Sequence, residues 1–184
     1  MRWSVGGRDH DSQDVTGVVV VDTDVAHAAG ETQHPISRAC REVLDTILGV
    51  CHRVAFDTRG SAEWKRHESG YALRWRAAMQ SRGKVLRVAA PETSDLSHLV
   101  EETGLSPKRN RAVLKDLHLV ETALAVDKAI VSMDEFVRAA LGEIAPLIPC
   151  VGDVVWVNPA EEDDDAIGWL KAGARRDHRR LLGS

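Results

Sequence analysis

Four acidic residues, Asp22, Glu63, Asp116 and Asp134, stand far apart in the 184-residue chain, each beside a segment able to carry it to a common place. Asp22 ends the apolar run Val18-Val19-Val20-Val21, and Asp134 closely follows Ala129-Ile130-Val131. Carboxylates at the ends of parallel strands converge on one edge of a sheet, where they repel one another unless a divalent cation bridges them. Such a set suits phosphodiester hydrolysis, which must set a hydroxide-like nucleophile against an anionic backbone and stabilise an alkoxide leaving group. Two divalent ions about 3.5–4 Å apart serve both ends of that displacement. Hard Mg²⁺ or Mn²⁺ prefers oxygen ligands and keeps several waters, so a handful of carboxylates suffices. Each acid also has a plainer use. Asp22, Asp116 and Asp134 could cap helices, and Glu63 could be a first-turn dipole partner. Glu121 and Glu135 are further candidate ligands, although surface roles suit both better.

Other chemistries find less support. Glu63 and His67 are four apart and could share a helix face, and His52, His98 and His118 are further candidates for zinc. There is no HExxH and no His–Cys cluster at zinc spacing. His67 reads better as a surface group or phosphate neighbour. His118, two residues past Asp116, is expected to point away from that acid. No nucleophile elbow and no GxxxxGK[ST] occurs, and Val5-Gly6-Gly7 does not follow a strand, so triad and nucleotide-cofactor readings fall away. Cys40, Cys51 and Cys150 are odd in number and form no CxxC, which argues against a disulfide framework and fits a reducing cytosol. All three are expected to be buried small hydrophobes.

A net charge of −4 conceals an uneven distribution. Residues 52–90 carry nine Lys or Arg against three acids, and residues 104–118 carry Lys108, Arg109, Arg111 and Lys115 against Asp116 alone. A cationic strip on an acidic protein can guide a polyanion to a negative metal site. Lys65, Arg66, Arg74 and Arg76, then Arg82 and Lys84, are the first candidates for nucleic-acid contact. Lys108, Arg109 and Arg111 could flank Asp116 from the other side. Trp64, Tyr71 and Trp75 could stack on bases, but their helical stripe is more simply a core face.

The elements that must position these groups alternate between strand and helix. Strands are predicted at 17–22, 52–56, 129–132 and 153–157, with 84–89 a short strand or an extended connection. Helices are predicted over 36–50, from Ser61 to Arg82, through Glu102 after a cap at Thr93 or Ser94, from Ser106-Pro107, over 116–126, over 134–142 and over 160–172. The pattern predicts an α/β fold, a three-layer α/β/α sandwich with a mostly parallel central sheet. The length fits one domain at 17–158, with an arm at 1–16 and a C-terminal helix and basic tail at 159–184. The polar first residues predict no secretory leader, and no apolar run approaches the ~20 residues a membrane span needs.

With their local contexts, the four acids resemble the PIN-domain family of metal-dependent ribonucleases. Val21-Asp22-Thr23-Asp24 looks like that family's first-strand acid followed by a small polar residue. Ala62-Glu63-Trp64-Lys65 matches the acid of an early helix. The segment from Asp116 through Ala125 is similar to an Asp opening a helix rich in small residues, and Ser132-Met133-Asp134-Glu135 closely resembles the Ser/Thr-x-Asp after the next strand. The resemblance covers about 17–158. It implies a PIN-like cytoplasmic endoribonuclease cutting single-stranded RNA with Mg²⁺ or Mn²⁺ held by Asp22, Glu63, Asp116 and Asp134. It also implies products with 3′-hydroxyl and 5′-phosphate ends, a homodimer, and a toxin or phage-defence effector restrained by an antitoxin or other regulatory protein. Asp24 stands where a neutral Asn is common, so it adds a ligand or caps the next segment. A DNA or flap substrate is the near alternative. The competing class is a non-catalytic PIN-like nucleic-acid-binding or structural module of a larger assembly.

Overall fold

The computed structural model describes residues 16–89 and 95–184. The N-terminal arm, apart from residue 16, and the proposed cap at Thr93 or Ser94 lie outside the described residues.

Five strands, β1 (Val18–Val21), β2 (Arg53–Phe56), β3 (Val85–Arg87), β4 (Ala129–Val131) and β5 (Val155–Val157), form one sheet in the order β3-β2-β1-β4-β5. Every pairing between them is parallel, with Val20 opposite Ile130 and Val21 opposite Val131 at the β1–β4 seam. A β-branched run buried on both faces suits such a sheet. Val19 and Val21 pack into one core with α1 (Thr23–Ala28), α2 (Pro35–Gly49), α3 (Thr58–His67), α4 (Gly70–Ser81) and α9 (Ala166–Lys171). Val18 and Val20 pack into the other with α5 (Asp95–Glu102), α6 (Pro107–Leu124), α7 (Glu135–Ile144) and α8 (Pro149–Gly152). The architecture is the three-layer α/β/α sandwich that the alternation predicts. Among the described residues no helix is long and apolar enough to cross a membrane.

Local chemistry moves several boundaries. The single helix predicted from Ser61 to Arg82 is two, because Ser69-Gly70 breaks it. The Ser69 hydroxyl accepts from the Ala72 amide at 3.1 Å, capping α4, and donates to the Ala29 carbonyl at 2.8 Å. The break lets both indoles reach inward. Trp64 Nε1 donates to the Val21 carbonyl at 2.9 Å, and Trp75 Nε1 to the Leu44 carbonyl at 2.5 Å. Both indoles are buried, as their core reading requires, whereas Tyr71 is half-buried and donates to Asp45. Conversely, the two helices predicted over 106–126 are one. Ser106 caps it, and the apolar spacing Val113, Leu117, Val120 runs through Asp116 without interruption. Asp116 therefore opens no helix; it stands mid-helix. The expectation for cysteine holds only at Cys40, since Cys51 and Cys150 are exposed free thiols.

The C-terminal segment folds back on the domain. Leu181 bridges Val155 antiparallel, and the Leu182 amide donates to the Val154 carbonyl at 3.0 Å, covering the edge of β5. His52, fully buried, fastens this side. Its Nδ1 accepts from the Gly17 amide at 2.8 Å and its Nε2 lies 2.8 Å from the Leu170 carbonyl. His52→Leu leaves both backbone groups without their partner, at about 1–3 kcal/mol each when buried. Urea unfolding is expected to show a loss of about 2–4 kcal/mol; a variant as stable as the unmodified protein would contradict the assignment.

Candidate metal centre

In an open parallel sheet, ligands bind beyond the carboxyl ends of the strands, where the strand order changes direction. Here that point lies between β1 and β4, the first strand and the fourth. Asp22 follows β1 and Asp134 follows β4 across this seam. Helix α3 brings Glu63 and α6 brings Asp116 to the same edge. All four acids line one cavity of about 400 Å³, together with Thr23, Asp24, Arg66, His67 and Lys115.

Each acid is held by its own local chemistry. Ser132, completely buried after β4, donates its hydroxyl to Asp22 Oδ2 at 2.8 Å, lies 3.3 Å from Asp24 Oδ2, and accepts from the Asp134 amide at 3.1 Å. One hydroxyl thus ties the two loops at the seam. Asp22 precedes α1 without a side-chain capping bond, and its carboxylate, held by Ser132, lines the cavity. Asp134 does cap α7, its Oδ1 accepting from the Val137 amide at 2.9 Å, which leaves Oδ2 for another partner. Glu63 lies in the middle of α3, not in its first turn, and accepts from Arg59 Nε at 3.1 Å. Asp116 pairs with its neighbour Lys115 at 3.5 Å.

Burial is the main force on three of the cavity's acids, Asp22, Asp116 and Asp24. It pushes the Asp22 carboxyl above its ordinary range despite the Ser132 hydroxyl, and the nearby Asp116 charge adds to the rise. Asp116 is raised by burial and by Asp134, against the pull of Lys115. Asp24 is pushed up to about 7, by burial first and by Asp22 second. Its Oδ2 accepts from the Met133 amide at 2.9 Å, while its buried Oδ1 has no hydrogen-bond partner among the described residues.

Two further residues stand behind the acids, Asp57, which sequence reasoning overlooked, and His118, weighed there only as a zinc candidate. Asp57 ends β2 as Asp22 ends β1, and that same strand-end signal could have found it. It caps α3 through the Gly60 amide at 2.6 Å. Burial pushes the Asp57 carboxyl upward, but hydrogen bonds from His118 and the Gly60 amide outweigh it and hold the group below its ordinary range. His118 is buried between α6 and α3, facing Asp57 and Glu63. The expectation that it points away from Asp116 gave no hint of these contacts.

The basic candidates divide. Arg66 lines the cavity one helical turn from Glu63, and Lys65 is exposed beside it. His67 lines the cavity too, a surface position next to the acids. Arg74 pairs with Glu31, and Arg109 with Glu143, on the surface, where ion pairs are weak and exchangeable. Lys108 sits 5.1 Å from the Phe136 ring centroid, and Arg111 is exposed. These three lie about 8–12 Å back along α6 from Asp116 at 1.5 Å per residue. Arg76 is a correction. Its Nε and one terminal nitrogen are committed to the largely buried Glu68 at 2.7 and 2.5 Å, so it anchors α4 and is no free phosphate clamp. Glu121 is half-buried away from the cavity, with Oε1 lacking a hydrogen-bond partner among the described residues, contrary to its expected surface role. Glu135 is exposed and accepts from Asn158 at 2.9 Å.

The donor set is all carboxylate oxygen, largely buried at Asp22, Asp24 and Asp116, with one orphaned oxygen on Asp24. Those are properties a hard divalent cation satisfies. Among the described residues no three His, Cys, Asp or Glu side chains close into a ready-made cage. Ions that retain several waters do not require one. No family model matches the chain, and neither a curated protein nor a solved structure matches it.

The raised acids fix a sign for pH dependence. A carboxyl whose folded value is about 7 against 3.8 binds its proton more tightly when folded, so its contribution to stability is complete below about 3.8 and lost as pH rises through about 7. Asp22 and Asp116 act in the same sense. Asp24→Asn is therefore expected to flatten the decline of stability with pH and to stabilise the metal-free protein above about pH 7, by at most about 4 kcal/mol. Urea unfolding in EDTA across that range checks this. Parallel pH profiles for the two proteins would contradict the buried, crowded state of Asp24.

Proposed function

We propose that the chain is a metal-dependent endoribonuclease of PIN-like type, hydrolysing single-stranded RNA with Mg²⁺ or Mn²⁺. One observation carries this reading: acids from four separate elements, with Asp24, line a single cavity at the seam where the sheet reverses its order. Structural capping alone gives no reason for that convergence, since Asp22 forms no side-chain cap and Asp116 is mid-helix.

Asp22, Glu63, Asp116 and Asp134 would hold the ions, with Asp24 close enough to Asp22 to feel its charge. When bound, the divalent ions supply an activated water and neutralise charge at the scissile phosphate. The chain's own groups do the rest. Ser132 fixes the Asp22 carboxylate, Asp134 keeps its place by capping α7, and Arg66, Lys65 and Lys115 draw the phosphate backbone toward the acids. Arg111, Lys108 and Arg109 would extend that track along α6. The PIN resemblance implies 3′-hydroxyl and 5′-phosphate products, a homodimer, and control in the cytoplasm by an antitoxin or similar regulatory protein.

Labelled single-stranded RNA, a matched DNA strand and a DNA flap, each incubated with Mn²⁺ or with EDTA, test the reading. RNA cleavage is expected with Mn²⁺ and none with EDTA. Asp134→Asn keeps an N-cap acceptor and Asp116→Asn keeps shape, so both should fold while losing roughly 100-fold or more of the activity, since outer-shell losses alone cost about 10–100-fold. Cleavage that survives both EDTA and Asp134→Asn would rule the mechanism out. A protein whose stability and RNA turnover ignore Mn²⁺ is instead the non-catalytic module.

A further inference from the structure

His118 is a buried titratable side chain between two acids, Asp57 and Glu63, the second of which lines the cavity. Its side chain is 8 % exposed. Nδ1 lies 3.3 Å from Asp57 Oδ1, and Nε2 lies 3.6 Å from Glu63 Oε2. The second distance is that of an ion pair and too long for a hydrogen bond. Nε2 is buried and has no hydrogen-bond partner among the described residues, and the Glu63 carboxylate is the group it faces. A buried polar atom without a partner is costly, and a ring carrying hydrogen on both nitrogens gives one to Asp57 and turns the other toward Glu63.

The packing is built for this approach. A Cβ on Gly60 would come within 2.8 Å of Asp57 Oδ1 and 3.7 Å of His118 Cε1. Glycine at that position lets Asp57 cap α3 while the imidazole of α6 lies against the same turn. Asp57 in turn is fixed by the Gly60 amide at 2.6 Å, so the imidazole rests on an immobile base. Glu63 by contrast is a long side chain whose other visible support is the exposed Arg59, a surface pair worth little.

We propose that His118, anchored on Asp57, is a positioning residue that sets the Glu63 carboxylate toward the cavity and thereby tunes the hold of the site on a divalent cation. The proposal rests on the metal-site reading above. Groups that orient metal-binding carboxylates typically change metal affinity by about 10–100-fold when lost.

The test uses the full chain and Mn²⁺ affinity, read from the electron paramagnetic resonance of free Mn²⁺, with urea unfolding as the check on folding. In His118→Gln the amide nitrogen reaches the place of Nε2 and keeps a donor for Glu63. In His118→Asn the shorter amide reaches only the Asp57 side. The Asn variant is expected to bind Mn²⁺ about 10–100-fold more weakly, and the Gln variant to stay within about threefold of the unmodified protein. In a Glu63→Gln background, the further change His118→Asn should cost nothing more. Equal affinities for the Asn and Gln variants, or an undiminished loss in that background, would overturn the positioning role. A second readout needs no variant: saturating Mg²⁺ should move the His118 Nε2 resonance in nitrogen NMR, and an unmoved ring overturns the proposal. An unmodified protein that binds no Mn²⁺ defeats the metal-site reading itself and this proposal with it. Mn²⁺ binding that is blind to His118 defeats the positioning role alone.

Discussion

Desolvated like charges are the constraint on which the rest of this structure turns. Burial is the leading cause of the raised carboxyls at Asp22, Asp24 and Asp116, and it exceeds what the Ser132 hydroxyl, the Met133 amide and Lys115 return. A fold that needed only stability would scatter these side chains over the surface, where each ionises freely. The sheet instead sets the two strands bearing Asp22 and Asp134 side by side, and α3 and α6 reach over the same seam.

Around that crowd the remaining residues act as a frame. Ser132 joins the two seam loops through one hydroxyl, and Asp134 caps a helix with one oxygen while the other stays available. Trp64 pins α3 to the last residue of β1, and thus fixes the helix that carries Glu63 relative to the strand that carries Asp22. On the far side Asp57, Gly60 and His118 pack α3 against α6. The frame is neutralised where charge would be wasted: Arg76 and Glu68 satisfy one another under α4 and leave the cavity to Arg66 and Lys115.

Much of this was legible in the amino-acid order. A run of four valines followed by an acid announces a buried strand with a carboxylate at its end, and the parallel sandwich follows from strand and helix alternating. The break at Ser69 was less visible, because Trp64, Tyr71, Trp75 and Met79 keep helical spacing across it; only the Ser-Gly pair marks the cap. The continuity of α6 through Asp116 was hidden by the opposite effect, since an acid after a basic stretch reads as a helix start. His118 could not be placed from spacing at all. Two residues along a helix separate side chains by about 200°, which aims His118 away from Asp116, and nothing local says that α3 waits on that side. Burial of Cys40 but not of Cys51 or Cys150 is likewise a matter of tertiary packing.

The most direct measurement is anomalous diffraction from crystals soaked in Mn²⁺. The expected result is a peak in the cavity within about 2.0–2.3 Å of carboxylate oxygens of Asp22 and at least one of Glu63, Asp116 and Asp134, with waters completing the shell. Crystals soaked at saturating Mn²⁺ whose acids keep their places around solvent, with no anomalous peak among them, would contradict a cation as the reason for their crowding.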